Sequence, residues 1–206
     1  MKVEKMNTRK HVKDHNMIFH LTSLENLDSI LEKGLLCRKD LENEFDDVAN
    51  PDMICSRERE ELEKYVPFHF FPRNPFDGDV FSHHPEKEFI YIGVTKQKAR
   101  SKGFKVIPTH PMSMTEFKIY DFDEGIEAID WETMNKRDYK DDICKHVCMA
   151  ECLYEGKVEP YNFASIYVRD EDIRKIVQPK VQKYLNDNNL NKNIFVNVMK
   201  GCFPKK

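Results

Sequence analysis

At 206 residues, the chain suffices for one compact domain with a sizeable core, or at most two small ones. Forty per cent hydrophobic and 11% aromatic residues exclude a disordered polymer, and the longest apolar runs are strand-sized, which excludes a helical membrane span. With 33 Lys and Arg against 36 Asp and Glu, the net charge of -3 excludes a bulk electrostatic footprint on nucleic acid, so any such contact must come from local patches.

Six cysteines and an N-terminus without an apolar core read as buried thiols in a cytoplasmic protein. Residues 1–16 are polar and read as a flexible lead-in to a single domain spanning 1–206. Met17-Ile-Phe-His20-Leu is strand-like, and Thr22-Ser-Leu-Glu25 has the capping-box pattern that opens a helix. Leu24, Leu27, Ile30 and Leu31 share one face of that helix, and Gly34 stands where a left-handed cap is expected. His20 then falls at a strand end, where side chains often face a cleft. Residues 38–51 form an acidic loop, and 54–64, rich in Arg, Glu and Leu, should be helical.

Tyr65 to Phe71 is an aromatic strand, Pro72 to Pro75 a turn, and Phe76 to Phe81 a mobile loop. Phe89–Val94 is a buried strand; Glu116–Tyr120, Met149–Tyr154 and Ala164–Val168 read as further strands. Gly125 to Trp131 is a turn plus helix start, and a helix from Asp170 to Val177 is ended by Pro179. Residues 178–206 form a basic C-terminal segment, six lysines against one aspartate. The sum is an α+β fold, central mostly antiparallel strands with surrounding helices.

Rossmann, P-loop, zincin and nucleophile-elbow motifs are absent, and seven glycines leave little for a phosphate cradle. Cys144-Lys-His146-Val-Cys148 invites a zinc-stabilised nucleic-acid-binding module, but the spacing is unusual for structural zinc and no second pair stands nearby, so no metal is expected. His83-His84 reads as a loop feature.

Four segments, in order, resemble the DarT family of DNA ADP-ribosyltransferase toxins. They are Phe19-His20-Leu-Thr-x-x-x-Asn26-Leu-x-x-Ile30-Leu-x-x-Gly34-Leu35, Ile54-Cys-Ser-Arg57, Tyr65-Val-Pro-Phe-His-Phe-Phe-Pro-Arg73-Asn-Pro75 and Met149-Ala-Glu151-Cys-Leu, with Ile166-Tyr-Val168 closing the pattern. The resemblance implies an ADP-ribosyltransferase (PARP-like) fold, NAD as substrate, a base of single-stranded DNA, guanine or thymine, as acceptor, and a macrodomain antitoxin of the DarG type as partner. RNA or protein is the alternative acceptor.

By the same resemblance Glu151 is the catalytic carboxylate, Arg57 assists or pairs with NAD phosphate (Arg59 is its rival), and His20, Thr22 and Asn26 line the NAD pocket. The residue chemistry agrees with this. Breaking the nicotinamide bond builds positive charge on the ribose, which a fixed carboxylate stabilises while it also takes a proton from the attacking base. Tyr65, Phe68, Phe70 and Phe71 alternate, so one side of that strand is core and the other is available to stack on nicotinamide or a base; Tyr65 and Phe68 are the candidates named for the NAD pocket. Arg73 and Asn74, between two prolines, are candidate DNA contacts, as are Lys96, Lys98 and Arg100 from a stretch of five basic and no acidic residues over 96–105.

Overall fold

The computed structural model describes residues 10–41, 61–110 and 118–204. Eight strands among them form one sheet: β1 (Met17–Ser23), β2 (Tyr65–His69), β3 (Phe89–Thr95), β4 (Lys105–Ile107), β5 (Tyr120–Asp121), β6 (Glu151–Glu155), β7 (Ser165–Val168) and β8 (Phe195–Val198). Their spatial order is β5-β4-β6-β2-β1-β3-β7-β8. Every neighbouring pair is antiparallel except β7 with β8, where the long helix α7 makes the crossover. The helices are α1 (Leu27–Lys33), α2 (Pro75–His83), α3 (Lys96–Ser101), α4 (Phe122–Ala128), α5 (Trp131–Lys136), α6 (Asp142–Val147) and α7 (Glu171–Asp187). The α+β architecture with a mostly antiparallel sheet is the one expected, and no helix among the described residues is long and apolar enough to cross a membrane.

The strand sequences are apolar on both faces because both faces are covered. On one, Ile18, Phe68, Ile92, Val106, Cys152, Ile166 and Val196 form the main core with Leu27, Ile30 and Leu31 of α1 and Val177, Val181 and Leu185 of α7. The other face carries two smaller clusters. One joins Phe19, Leu21, Phe89 and Tyr91 to Val80 of α2 and Phe203; the other joins Tyr65, Ile107 and Leu153 to Leu62. Gly34, at φ +94°, turns the chain out of α1, and Gly125 lets α4 lie so close on β4 that a Cβ there would meet that of Val106 at 2.4 Å.

Several expectations are corrected. The residue 76–81 stretch is not a loop but part of α2, because Asn74 and Asp77 form a reciprocal capping box with Pro75 at the first helical position. Pro179 does not end α7. It sits on the exposed side while Val177, Val181 and Leu185 keep packing, and that burial carries the helix past one missing hydrogen bond. Gly125 to Trp131 belongs to two short helices, and 96–105 folds as α3 and the start of β4. The lead-in is anchored at Val12, fully buried in the main core with its amide on Asn135 Oδ1 at 3.3 Å. The C-terminal segment holds the end of α7 and β8. Of the expected helix at 54–64 only residues 61–64 are described, and Leu62–Lys64 among them form a 3-10 turn.

Candidate active site

Glu151 opens β6, an interior strand between β4 and β2, and is 3% exposed. Residues directly opposite in antiparallel strands share a face. Ile107, Glu151, His69 and Phe19 are opposite one another across β4, β6, β2 and β1, so they form one lateral row. The outer two belong to the two small apolar clusters. A carboxylate and an imidazole are thus set, buried, between two patches of hydrophobic side chains. That placement is costly for solvation, which makes the pair a candidate functional site.

The imidazole is held on both sides. His69 Nδ1 lies 3.2 Å from the carbonyl of Ala150, and its ring stacks on Phe76 of α2 with centroids 5.5 Å apart. Asp77, also in the first turn of α2, is buried at 1% exposure. Its Oδ2 accepts from the Tyr91 hydroxyl at 2.8 Å and from the Arg73 amide at 2.7 Å, while its Oδ1 is buried without a partner. Burial pushes the Asp77 carboxyl up to about 6 against the opposing pull of His69 and these donors. His110, three residues past Ile107, is buried as well, with its amide on the His146 carbonyl at 3.0 Å.

His20 is one residue beyond the row and so projects from the alternate side of β1. Its ring packs on Phe68 at 5.6 Å, and Nδ1 lies 2.8 Å from the Pro67 carbonyl, spanning the seam where β1 and β2 part after a single register pair. Side by side with Glu151 in the register is therefore His69 rather than His20. Thr22 and Asn26 follow on the same strand and turn, joined through Asn26 Nδ2 to Thr22 Oγ1 at 3.2 Å. Tyr65 is on the Glu151 face, four residues from His69 along β2. Arg57 and Arg59 lie outside the described residues.

Other expected contacts are spent on the fold. Phe68 is fully buried in the main core and touches Phe104, so it is not a stacking platform. Asn74 caps α2, with Oδ1 on the Asp77 amide and Nδ2 on the Phe71 carbonyl, so its side chain is not presented to DNA. Lys96 lies over the rings of Trp131 (4.8 Å) and Phe70 (5.7 Å) and donates to the Lys13 carbonyl; burial lowers its ammonium to about 8, and it is no open basic contact. Arg100 pairs with Asp123 at 2.8 Å. Lys98 is exposed, and Arg73 faces a cavity. The thiols of Cys144 and Cys148 donate to the carbonyls of Thr133 and Met134, and no metal-holding cluster forms among the described residues, so the zinc-module alternative has no support. Sequence reading passed over His69 and Asp77, although alternation along Tyr65–Phe71 already sets His69 on the side away from Phe68.

A family model for the ssDNA thymidine ADP-ribosyltransferase DarT matches residues 19–199. The chain belongs to the DarT family. A DarT of Thermus sp. 2.9, solved with ADP-ribosylated single-stranded DNA, superposes with a TM-score of 0.75 at 21% identity, covering 92% of this chain and 96% of that one. The same DarT solved with NAD+ superposes at 0.69 and 19% identity, covering 93% and 98%. These likenesses show the DarT fold. A curated DNA ADP-ribosyl transferase–DNA ADP-ribosyl glycohydrolase fusion protein of Thermosipho africanus is 23% identical over 184 residues, 84% of this chain. The chain spans about half the length of that relative, 46%.

Proposed function

We propose that the protein transfers ADP-ribose from NAD to thymine in single-stranded DNA, releasing nicotinamide. The observation that carries this reading is the burial of Glu151 on an interior strand, in register with His69, within a chain of the DarT family. Thymine, rather than guanine, is supported by the family description, which names thymidine.

The bond from the ribose anomeric carbon to nicotinamide breaks, and its electron pair leaves with nicotinamide. A ring nitrogen of the base bonds to that carbon and loses its proton. Glu151 stabilises the charge developing on the ribose and accepts the proton. A ring nitrogen is a weak nucleophile, so its placement against the ribose supplies much of the acceleration. A base must leave its stack to reach a buried carboxylate, which favours single strands over duplex. His20, Thr22 and Asn26 hold NAD at the C-terminal end of β1, Tyr65 lines the cleft floor, and Arg57 takes a phosphate oxygen or assists at the ribose. Arg73 and the exposed Lys98 face the DNA. A macrodomain glycohydrolase that removes the mark is the fitting antitoxin, as the composition of the Thermosipho relative suggests, and the cytoplasm is the fitting compartment.

The test is incubation with NAD and single-stranded oligonucleotides bearing only thymine or only guanine as the variable base, with RNA as a further arm, read by mass. A gain of one ADP-ribose on thymine DNA, reduced about 10²–10⁴-fold in Glu151→Gln, is expected. No adduct on any DNA, or an adduct undiminished in that variant, overturns the reading.

A further inference from the structure

On the Glu151 side of the sheet, at the N-terminal end of β1, lies a cavity of about 530 Å³, the size of a small-ligand site. Phe19 and Phe71 line it, together with Arg73, Arg137, Tyr139 and the C-terminal turn at Gly201. Its ten lining residues include no carboxylate, although the chain as a whole is net acidic.

The arginines are placed by the fold. The Arg137 guanidinium lies 4.3 Å from the centre of the Phe71 ring, and its Nε is buried without a hydrogen-bond partner. Its backbone is left-handed at φ 52°. A half-buried guanidinium stacked on an aromatic ring, with one donor already lost to burial, leaves its remaining N–H groups to be met by an anion. Arg73, left-handed at φ 61°, donates from Nη1 to the Gly201 carbonyl at 3.2 Å, and its own carbonyl accepts the Tyr139 hydroxyl at 3.0 Å. The end of β2, the chain after α5 and the C-terminal turn are thereby tied around one opening.

Position selects the ligand. Phe19 lines the cavity and stands opposite His69, which stands opposite Glu151, so neighbouring strands about 4.8 Å apart set this wall of the cavity about 10 Å from the Glu151 backbone. Phe19 marks the Glu151 row. The cavity therefore opens beside the reacting row, within reach of the nucleotide next to the one being modified.

We propose that the cavity holds the nucleotide neighbouring the modified base on single-stranded DNA, with its phosphate on Arg137 and Arg73 and its base against Tyr139. This deepens the DNA-acceptor reading above and rests on it. A bidentate guanidinium suits phosphate oxygens, and an aromatic ring accepts any base.

Two variants test it, with steady-state kinetics on a thymine-bearing oligonucleotide and with NAD. Arg137→Gln should raise KM for the oligonucleotide about tenfold and reduce the slope of log affinity against log salt by about one. KM for NAD should change less than about twofold. Gly201→Glu puts a carboxylate in the cavity where an added Cβ meets nothing within 4 Å, so the fold should survive and oligonucleotide KM should rise as well. Unchanged oligonucleotide KM in both variants overturns the proposal. So does a matching rise in KM for NAD, which would assign the cavity to the dinucleotide's own phosphates. If wild-type protein modifies no DNA, the preceding reading fails instead, and anisotropy of a labelled oligonucleotide with wild type and Arg137→Gln still reads the cavity.

Discussion

Asp77 concentrates more consequence than any other side chain beside the site. It is the reciprocal partner in the α2 capping box, the acceptor for Tyr91, and the anchor of the Arg73 turn. Its carboxyl stands at about 6 in the fold, against 3.8 ordinarily, because burial disfavours the charge more than three donors favour it. The folded state therefore binds the proton more tightly than the unfolded one. Stability owed to this group is complete below pH 4 and lost as pH rises through 6, on the order of 3 kcal/mol from the two-unit shift. Asp77→Asn cannot titrate. Thermal melts of the two proteins should diverge most at pH 4 in favour of wild type, and the gap should narrow by pH 7; a pH-independent gap would exclude the titration.

At the scale of elements, α2 and α7 are each held by a feature with a measurable signature. Asn74→Ala removes the two side-chain hydrogen bonds of a buried cap, keeping only the backbone half of the capping box, and should cost about 1–2 kcal/mol in denaturant unfolding while leaving oligonucleotide affinity at its wild-type value. A loss of that affinity in the folded variant would return Asn74 to the DNA surface. Pro179→Ala restores the missing backbone donor on the exposed side of α7 and should raise stability by about 1–3 kcal/mol. These two helices also show what was legible before folding. β1, β3, β6 and β7 could be read from apolar runs, and α1 from the spacing of Leu27, Ile30 and Leu31, because those signals are local. The capping box expected at Thr22 does not form, since Thr22 stays in β1 and Ser23 caps a 3-10 turn ahead of α1. Asn74-Pro75-x-Asp77 is an equally local signal, yet its neighbours Gly78 and Asp79 argued for a loop. α7 outran its proline because packing on β7 and β8 is tertiary and leaves no mark near residue 179.

For the molecule as a whole, the chain closes by laying Phe203 under Tyr91 and Phe81, with ring centroids 5.2 and 6.5 Å apart. Phe203→Ala should cost about 3–5 kcal/mol, seen as a lower denaturant midpoint. Glu151 could be singled out from family-like segments, but its companions could not. Lys96 and Arg100 belong to a basic run that looks free on paper and is committed in space, to Trp131 and to Asp123. Arg137 and Tyr139 sit in a stretch with no motif and gain meaning only when the turn after α5 meets Arg73.

The seam between β1 and β2 has a mechanical corollary. One register pair joins strands that each match their other neighbour over their whole length, seven positions for β1 with β3 and five for β2 with β6. The sheet is thus creased between two leaves, and a molecule lying across the crease would act as a clasp. Amides of β1 that face β2 should exchange with deuterium sooner than those facing β3, and NAD should slow them selectively.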